Sequence, residues 1–293
     1  MKASTFRNIA AKFLAPAALA MSVGATSAVA ADPVKITVAN FADVQAVANV
    51  AKYVLETKLN IPVQFVNADL GVQYQGLARN DVDIMVGGWM PITHHNYYEK
   101  YKDNLDDVRV IYTGGKIGWA VPDYVPASEL DSFADLNKPD VKSKLHSTIT
   151  GVEPGTGEMQ TSEKAMKAYN LDGYNLQSSS EAGMLASLQR AYASKQWIVA
   201  TVFSPHWLFQ KYKMRYLKDP KGAMGGDEQI HAFASKQFAS KNPRAYAFFK
   251  HYDINLQEVE AVQFDGVNSN NFPAAAKKWV DAHPDRVKAW LAQ

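Results

Sequence analysis

Two separate series of alternating strand and helix patterns constrain this chain more than any other feature. Val34 to Ala39 alternates apolar and polar residues and is rich in β-branched side chains, which marks a strand. Val47, Val50, Ala51, Val54 and Leu55 then recur at helical spacing within Val44 to Leu59. Ile61 to Val66 reads as a second strand, Gly71 to Arg79 as a short helix and Val82 to Val86 as a buried third strand. Strands alternating with helices build a parallel α/β sheet, because each crossover must bury its apolar face on the sheet. The pattern starts again with strands at Lys116 to Val121, Ser147 to Val152 and Trp197 to Phe203. Between them lie helical patterns at Glu158 to Tyr169 and Glu181 to Ser194. A mostly helical tail follows over Pro243 to Tyr252, Leu256 to Phe264 and Phe272 to Leu291. The 293 residues suffice for two such units.

Residues 1–30 read as a secretory leader. Lys2, Arg7 and Lys12 precede an apolar stretch from Phe13 to Val23, and Ala28-Val29-Ala30 is a small-x-small cleavage site. The apolar stretch is shorter than the roughly 20 residues a membrane span needs. The expected mature protein is exported to the periplasm and not embedded in a membrane. Those three cations are part of a total of 31, and the 28 that remain face 29 acids. Composition therefore gives no footprint for nucleic acid. The chain has no cysteine, which excludes disulfides, thiolate metal sites, a thiol nucleophile and a lipidated cysteine.

In open α/β sheets, ligands sit beyond the carboxyl ends of the strands. Here those ends carry aromatic rings: Phe41 after the first strand, Trp89 after the third, and Phe203 with Trp207 after the last strand of the second unit. Trp119 lies in the segment expected to cross between units. Ring faces attract a cation, and an ammonium without N–H groups finds its best host among them. An aromatic near a strand end is more often core packing than ligand contact, and it is the occurrence of three such ends in one chain that points to a site.

Several ordered segments resemble one family. Asn40-Phe41-Ala42-Asp43 resembles an Asn-Trp-x-Asp/Glu segment, and Gly88 to His94 a Trp-Leu/Met-Pro-x-Thr-His segment. Gly118 to Val125 resembles a Gly-Leu-x-Val-Pro-x-Tyr-Val crossover, and Gly151 to Gly157 a Gly-Ile-Asp/Glu-Pro-Gly-x-Gly turn. Trp197-Ile198-Val199, Pro205-His206-Trp207, Lys211-Tyr212 and Tyr216 to Lys221 follow the same order. Over residues 34 to 291 the chain is thus similar to the substrate-binding proteins of glycine betaine, choline and carnitine ABC importers. The resemblance implies an α/β, two-lobed type II periplasmic-binding-protein fold with a ligand cleft between lobes. It places lobe one at residues 32–118 and 219–293, and lobe two at 119–218. Hinges fall near Gly118 to Pro122 and Tyr216 to Pro220.

Position by position, it makes Phe41, Trp89 and Phe203 walls of a cage around a small quaternary ammonium ligand. Glycine betaine comes first in expectation, then choline or carnitine. Asp43 matches an acidic position near the ammonium in choline-binding members. The Val44 and Gln45 amides match the place where betaine members hold the carboxylate, and His206 is a polar contact at the same end. Two departures stand out: Phe41 and Phe203 occupy positions usual for Trp, and Trp119 replaces an aliphatic residue and refills the space. The implied partners are an ABC permease and its ATPase; the alternative is a ligand-sensing partner of a membrane receptor using the same cleft. No cofactor or metal is expected. His94-His95 with Glu99 lacks the His-x-x-x-His spacing of a helical metal pair. The histidines and acids show no nucleophile–base pattern, so the chain is not read as an enzyme.

Overall fold

The computed structural model describes Met1 and residues 32–292. The cleavage site and nearly all of the expected leader lie outside the described residues. The first series runs β1 (Val34–Val38), α1 (Ala42–Lys58), β2 (Val63–Asn67), α2 (Leu70–Ala78), β3 (Ile84–Met90), α3 (His95–Tyr101) and β4 (Leu105–Pro122). The second continues with α4 (Pro139–Lys144), β5 (Thr148–Thr150), α5 (Gly157–Ala168), β6 (Asn175–Gln177), α6 (Glu181–Ser194), β7 (Ala200–Ser204), α7 (Leu208–Lys211) and β8 (Met214–Tyr216). β9 (Glu228–Ser235) returns to the first sheet, and α8 (Phe238–Lys241), α9 (Pro243–His251), α10 (Leu256–Ser269), α11 (Phe272–Ala282) and α12 (Pro284–Leu291) complete the chain.

The strand order is β2-β1-β3-β9-β4-β7-β5-β6, with β8 on the side of β4. β1 pairs in parallel with β2 and β3, as the β-α-β pattern requires. β5 likewise pairs in parallel with β6 and β7. The sheet is nonetheless mixed, because β9 runs antiparallel between β3 and β4. β4 is 18 residues long rather than the short strand expected at Lys116 to Val121. Its first part pairs with β9 as far as Gly115, and from Lys116 it pairs with β7. One strand therefore serves both lobes.

The apolar stripe of α1 is buried along Ala46, Val47, Val50, Ala51, Val54 and Leu55, as its spacing dictates. The C-terminal helices α10 and α11 pack on α1. The tail tryptophans Trp279 and Trp290 stack on each other at 5.7 Å, and the Trp290 indole donates to Asp253 at 3.1 Å. Among the described residues, no helix is long and apolar enough to cross a membrane.

Candidate functional site

A cavity of about 530 Å³ lies between the lobes. The carboxyl ends of β1, β2 and β3 and the start of α2 line it, together with Glu153 to Glu158 and Phe203 from the second strand–helix series. The strand-end rule thus puts the cavity where the chain reverses direction out of each parallel strand.

Phe41, Asp43, Val44, Trp89 and Phe203 all line this cavity. Phe203 stands edge-on to both other rings, with centroids 5.9 Å from Phe41 and 5.8 Å from Trp89. Trp89 lies within β3 rather than beyond it, opposite Ile230 of β9. Its seat depends on Gly115, where a Cβ would come within 2.9 Å of the indole and 2.6 Å of Ile230.

Three of the expected site residues lie behind the wall instead. The Trp119 ring is fully buried, stacks on Phe133 at 4.3 Å and donates its indole N–H to Ser162 Oγ at 3.0 Å. Ile117, two residues earlier on β4, is the one that reaches the cavity. A strand advances about 7 Å over two residues, which carries Trp119 past the opening. Gln45 turns its side-chain amide to the Ala39 carbonyl at 2.9 Å, and its backbone N–H donates to Phe41 at 3.0 Å. The His206 ring packs on Phe203 at 4.7 Å, accepts the Leu208 N–H on Nδ1 and meets Glu181 Oε1 through Nε2 at 2.8 Å. With Nδ1 accepting, Nε2 carries the proton and donates to Glu181.

The segment that follows Trp89 is held by Glu228, which the motifs did not reveal, and by His94, the last residue of the Gly88 to His94 motif. Glu228, buried at the start of β9, accepts the N–H of Ile92 at 3.0 Å and of Thr93 at 2.8 Å, and also the Thr93 hydroxyl. His94 Nδ1 takes the Trp89 N–H at 3.2 Å and lies 3.3 Å from the Tyr74 hydroxyl. Burial pushes His94 down to about 3, so it stays neutral and remains an acceptor.

The lobes touch around the cavity. Tyr97 on α3 donates to the Gly155 carbonyl at 2.8 Å, and Asn96 donates to Gln160 at 3.0 Å. Gln263 of α10 accepts the Trp207 N–H at 3.2 Å and donates to the Pro205 carbonyl at 3.0 Å. At Gly157 the approach is so close that a Cβ would stand 1.9 Å from the Thr93 carbonyl oxygen.

The polar side of the cleft is acidic. Burial pushes Asp43 up to about 6, and the charge of Glu181 adds to the rise; the Val44 N–H, His206 and the Trp89 indole oppose it. Burial pushes Glu158 up to about 8, reinforced by Glu181, Glu153 and Asp43, against the neighbouring Thr201 hydroxyl. Glu181 rises to about 8 through burial and then Glu153, against the Ala42 N–H of the opposite lobe. Burial pushes His206 down to about 4 against the pull of Asp43. Glu153 Oε1 accepts the Glu181 N–H at 3.1 Å. Sequence reasoning named Asp43 alone of these acids; the signal for Glu158 was its place at a helix start after the Pro154-Gly155-Thr156-Gly157 turn.

Comparison with known proteins agrees with this geometry. Residues 32–291 match the family model described as the substrate binding domain of an ABC-type glycine betaine transport system. The glycine betaine/carnitine transport binding protein GbuC of Listeria monocytogenes is 36% identical over 155 residues, 52% of this chain and 52% of that protein. The match spans about half the length of that relative. Lactococcal OpuAC, solved in a closed conformation with glycine betaine, superposes with a TM-score of 0.83 at 33% identity, covering 89% of this chain and 99% of that one. A glycine betaine/L-proline-binding protein from Borrelia burgdorferi gives a TM-score of 0.84 at 29% identity, covering 89% and 97%. With nearly every described residue inside the family match and the cavity at the junction of two lobes, the chain belongs to the family of substrate-binding domains of ABC-type glycine betaine transport systems.

Proposed function

We propose that this chain is an exported periplasmic protein that captures a quaternary ammonium or related onium compound and delivers it to an ABC import permease and its ATPase. The observation that carries the reading is the convergence of Phe41, Trp89 and Phe203, from both lobes, on one cavity. A ring face attracts a cation whether or not it has hydrogens to donate. Rings from opposite lobes surround the ligand only when the lobes meet, so the ligand favours closure by its differential affinity for that state. Lobe limits at residues 32–118 with 219–293 and at 119–218 are part of the same proposal. It draws support from the change of partner along β4, from β9 to β7, between Gly115 and Lys116.

Calorimetric titration of the purified protein with methylated ammonium and sulfonium compounds, with proline and arginine as controls, tests the reading. One-to-one binding of an onium compound and silence from the controls is the expected result. Binding of a control alone would overturn it. Trp89→Ala is expected to weaken onium binding by more than about 1 kcal/mol. An unchanged affinity in the same titration would remove Trp89 from the cage.

A further inference from the structure

Four carboxyl groups, Asp43, Glu153, Glu158 and Glu181, gather on the polar side of the cleft, and Asp43, Glu153 and Glu158 line the cavity itself. No lysine or arginine is among the described lining residues. Among the amides at the start of α1, which would serve a ligand carboxylate, that of Gln45 is taken up by the Phe41 carbonyl. A carboxylate entering here would find no lysine or arginine to pair with and would meet Asp43, which is ionised at neutral pH.

Glu158 adds an independent observation. It is 5% exposed and on the cavity wall, and its Oε1 has no hydrogen-bond partner. Glu153 Oε2, on the same cavity, is likewise buried and unpartnered. Buried acceptors left without donors are costly, and a ligand that brings the donor removes the cost. We propose that, among onium compounds, this cleft selects those with net positive charge and an O–H or N–H donor in place of a carboxylate, and that Glu158 is the specificity-determining residue that accepts the donor. The inference rests on the reading of Phe41, Trp89 and Phe203 as the onium host, and it reverses the ligand order that the motifs suggest. A site built around buried hydrogen-bonding groups rejects a ligand that leaves them unpaired far more strongly than one that merely misfits an apolar wall.

The test is calorimetry on the whole exported protein with three probes: choline, a cation with a hydroxyl; tetramethylammonium, a cation without a donor; and glycine betaine, a zwitterion. Choline is expected to bind at least about tenfold tighter than either other probe. Glu158→Gln, whose amide can present N–H to a carboxylate, is expected to lower the choline-to-betaine affinity ratio by about tenfold or more. That ratio is insensitive to a general loosening of the fold. Betaine binding as tightly as choline, or a ratio unmoved by Glu158→Gln, overturns the inference while leaving the onium reading intact. Silence from all three probes with a folded protein overturns both. If the variant fails to fold, the affinity order in the unaltered protein decides alone.

Discussion

Gly157→Ala is expected to leave the protein folded yet cut ligand affinity by about 10- to 100-fold. The new methyl carbon would stand 1.9 Å from the Thr93 carbonyl oxygen and 2.5 Å from its carbonyl carbon. Neither atom is the free end of a flexible chain, and Thr93 is pinned through its N–H and hydroxyl to Glu228. Overpacking of this kind costs about 1–3 kcal/mol, and 1.4 kcal/mol is a factor of about ten. Parting the lobes relieves the clash, so the cost falls on the closed state and appears as lost affinity. Calorimetry gives the affinity, and small-angle scattering with and without ligand gives the compaction. Wild-type affinity together with wild-type compaction would show that Gly157 and Thr93 do not meet in the ligand-bound state.

The acids of the cleft predict an unusual dependence of stability on pH. Glu158 and Glu181 have folded-state values near 8 against ordinary values of 4.5, and Asp43 is near 6 against 3.8. A carboxyl whose pKa rises on folding holds its proton in the native state where the unfolded chain has lost it. Stability then falls as pH climbs from the unfolded value to the folded one, and levels off above it. His206 works the other way, since its value drops from 6.5 to about 4, and His94 adds to that with a value near 3. Both histidines make the protein gain stability as pH rises towards 6.5. Between about pH 6.5 and 8.5 only the two glutamates of this group act, so the thermal midpoint is expected to fall across that window. A scan in buffers of matched ionic strength reads it directly. A flat or rising midpoint from pH 6.5 to 8.5 would mean that these carboxyls are ionised in the folded protein. Saturation with choline is expected to flatten the slope, because a nearby cation favours the charged form of each acid.

Much of the fold is written in local pattern. β1, α1, β2 and α6 announce themselves through the spacing of their apolar residues, which alternates in the strands and follows the helical period in the helices. β9 does not. Ile230, Ala232 and Ala234 alternate on its buried face, but Glu228 and His231 interrupt the apolar signal, and its partners β3 and β4 lie more than a hundred residues upstream. The first part of β4 was hidden for a similar reason: Asp106, Asp107 and Arg109 read as loop, whereas Asp107 pairs with His231 and Arg109 with Asp253 across the fold. The aromatic wall was legible because rings at strand ends form a local sequence signal. The acids around it were not, because Glu153, Glu158 and Glu181 become neighbours of Asp43 only when two lobes meet. Trp119 shows the opposite limit. A large ring in a family segment suggested a ligand contact, but its position along β4 turns it onto Phe133 and away from the cavity.

β4 hydrogen-bonds to β9 along its first part and to β7 and β8 along its second. Loss of either lobe would leave an edge of this single strand unpaired and strip backbone groups that are otherwise satisfied within the sheet. The lobes therefore share a fate, and one continuous apolar core, with Val50 and Ile84 on one side and Phe133 and Ile149 on the other, ties them further. Denaturant is expected to melt the molecule in one cooperative step, with tryptophan fluorescence and backbone circular dichroism tracing the same curve. That single strand makes the two halves of the sheet, thermodynamically, one unit.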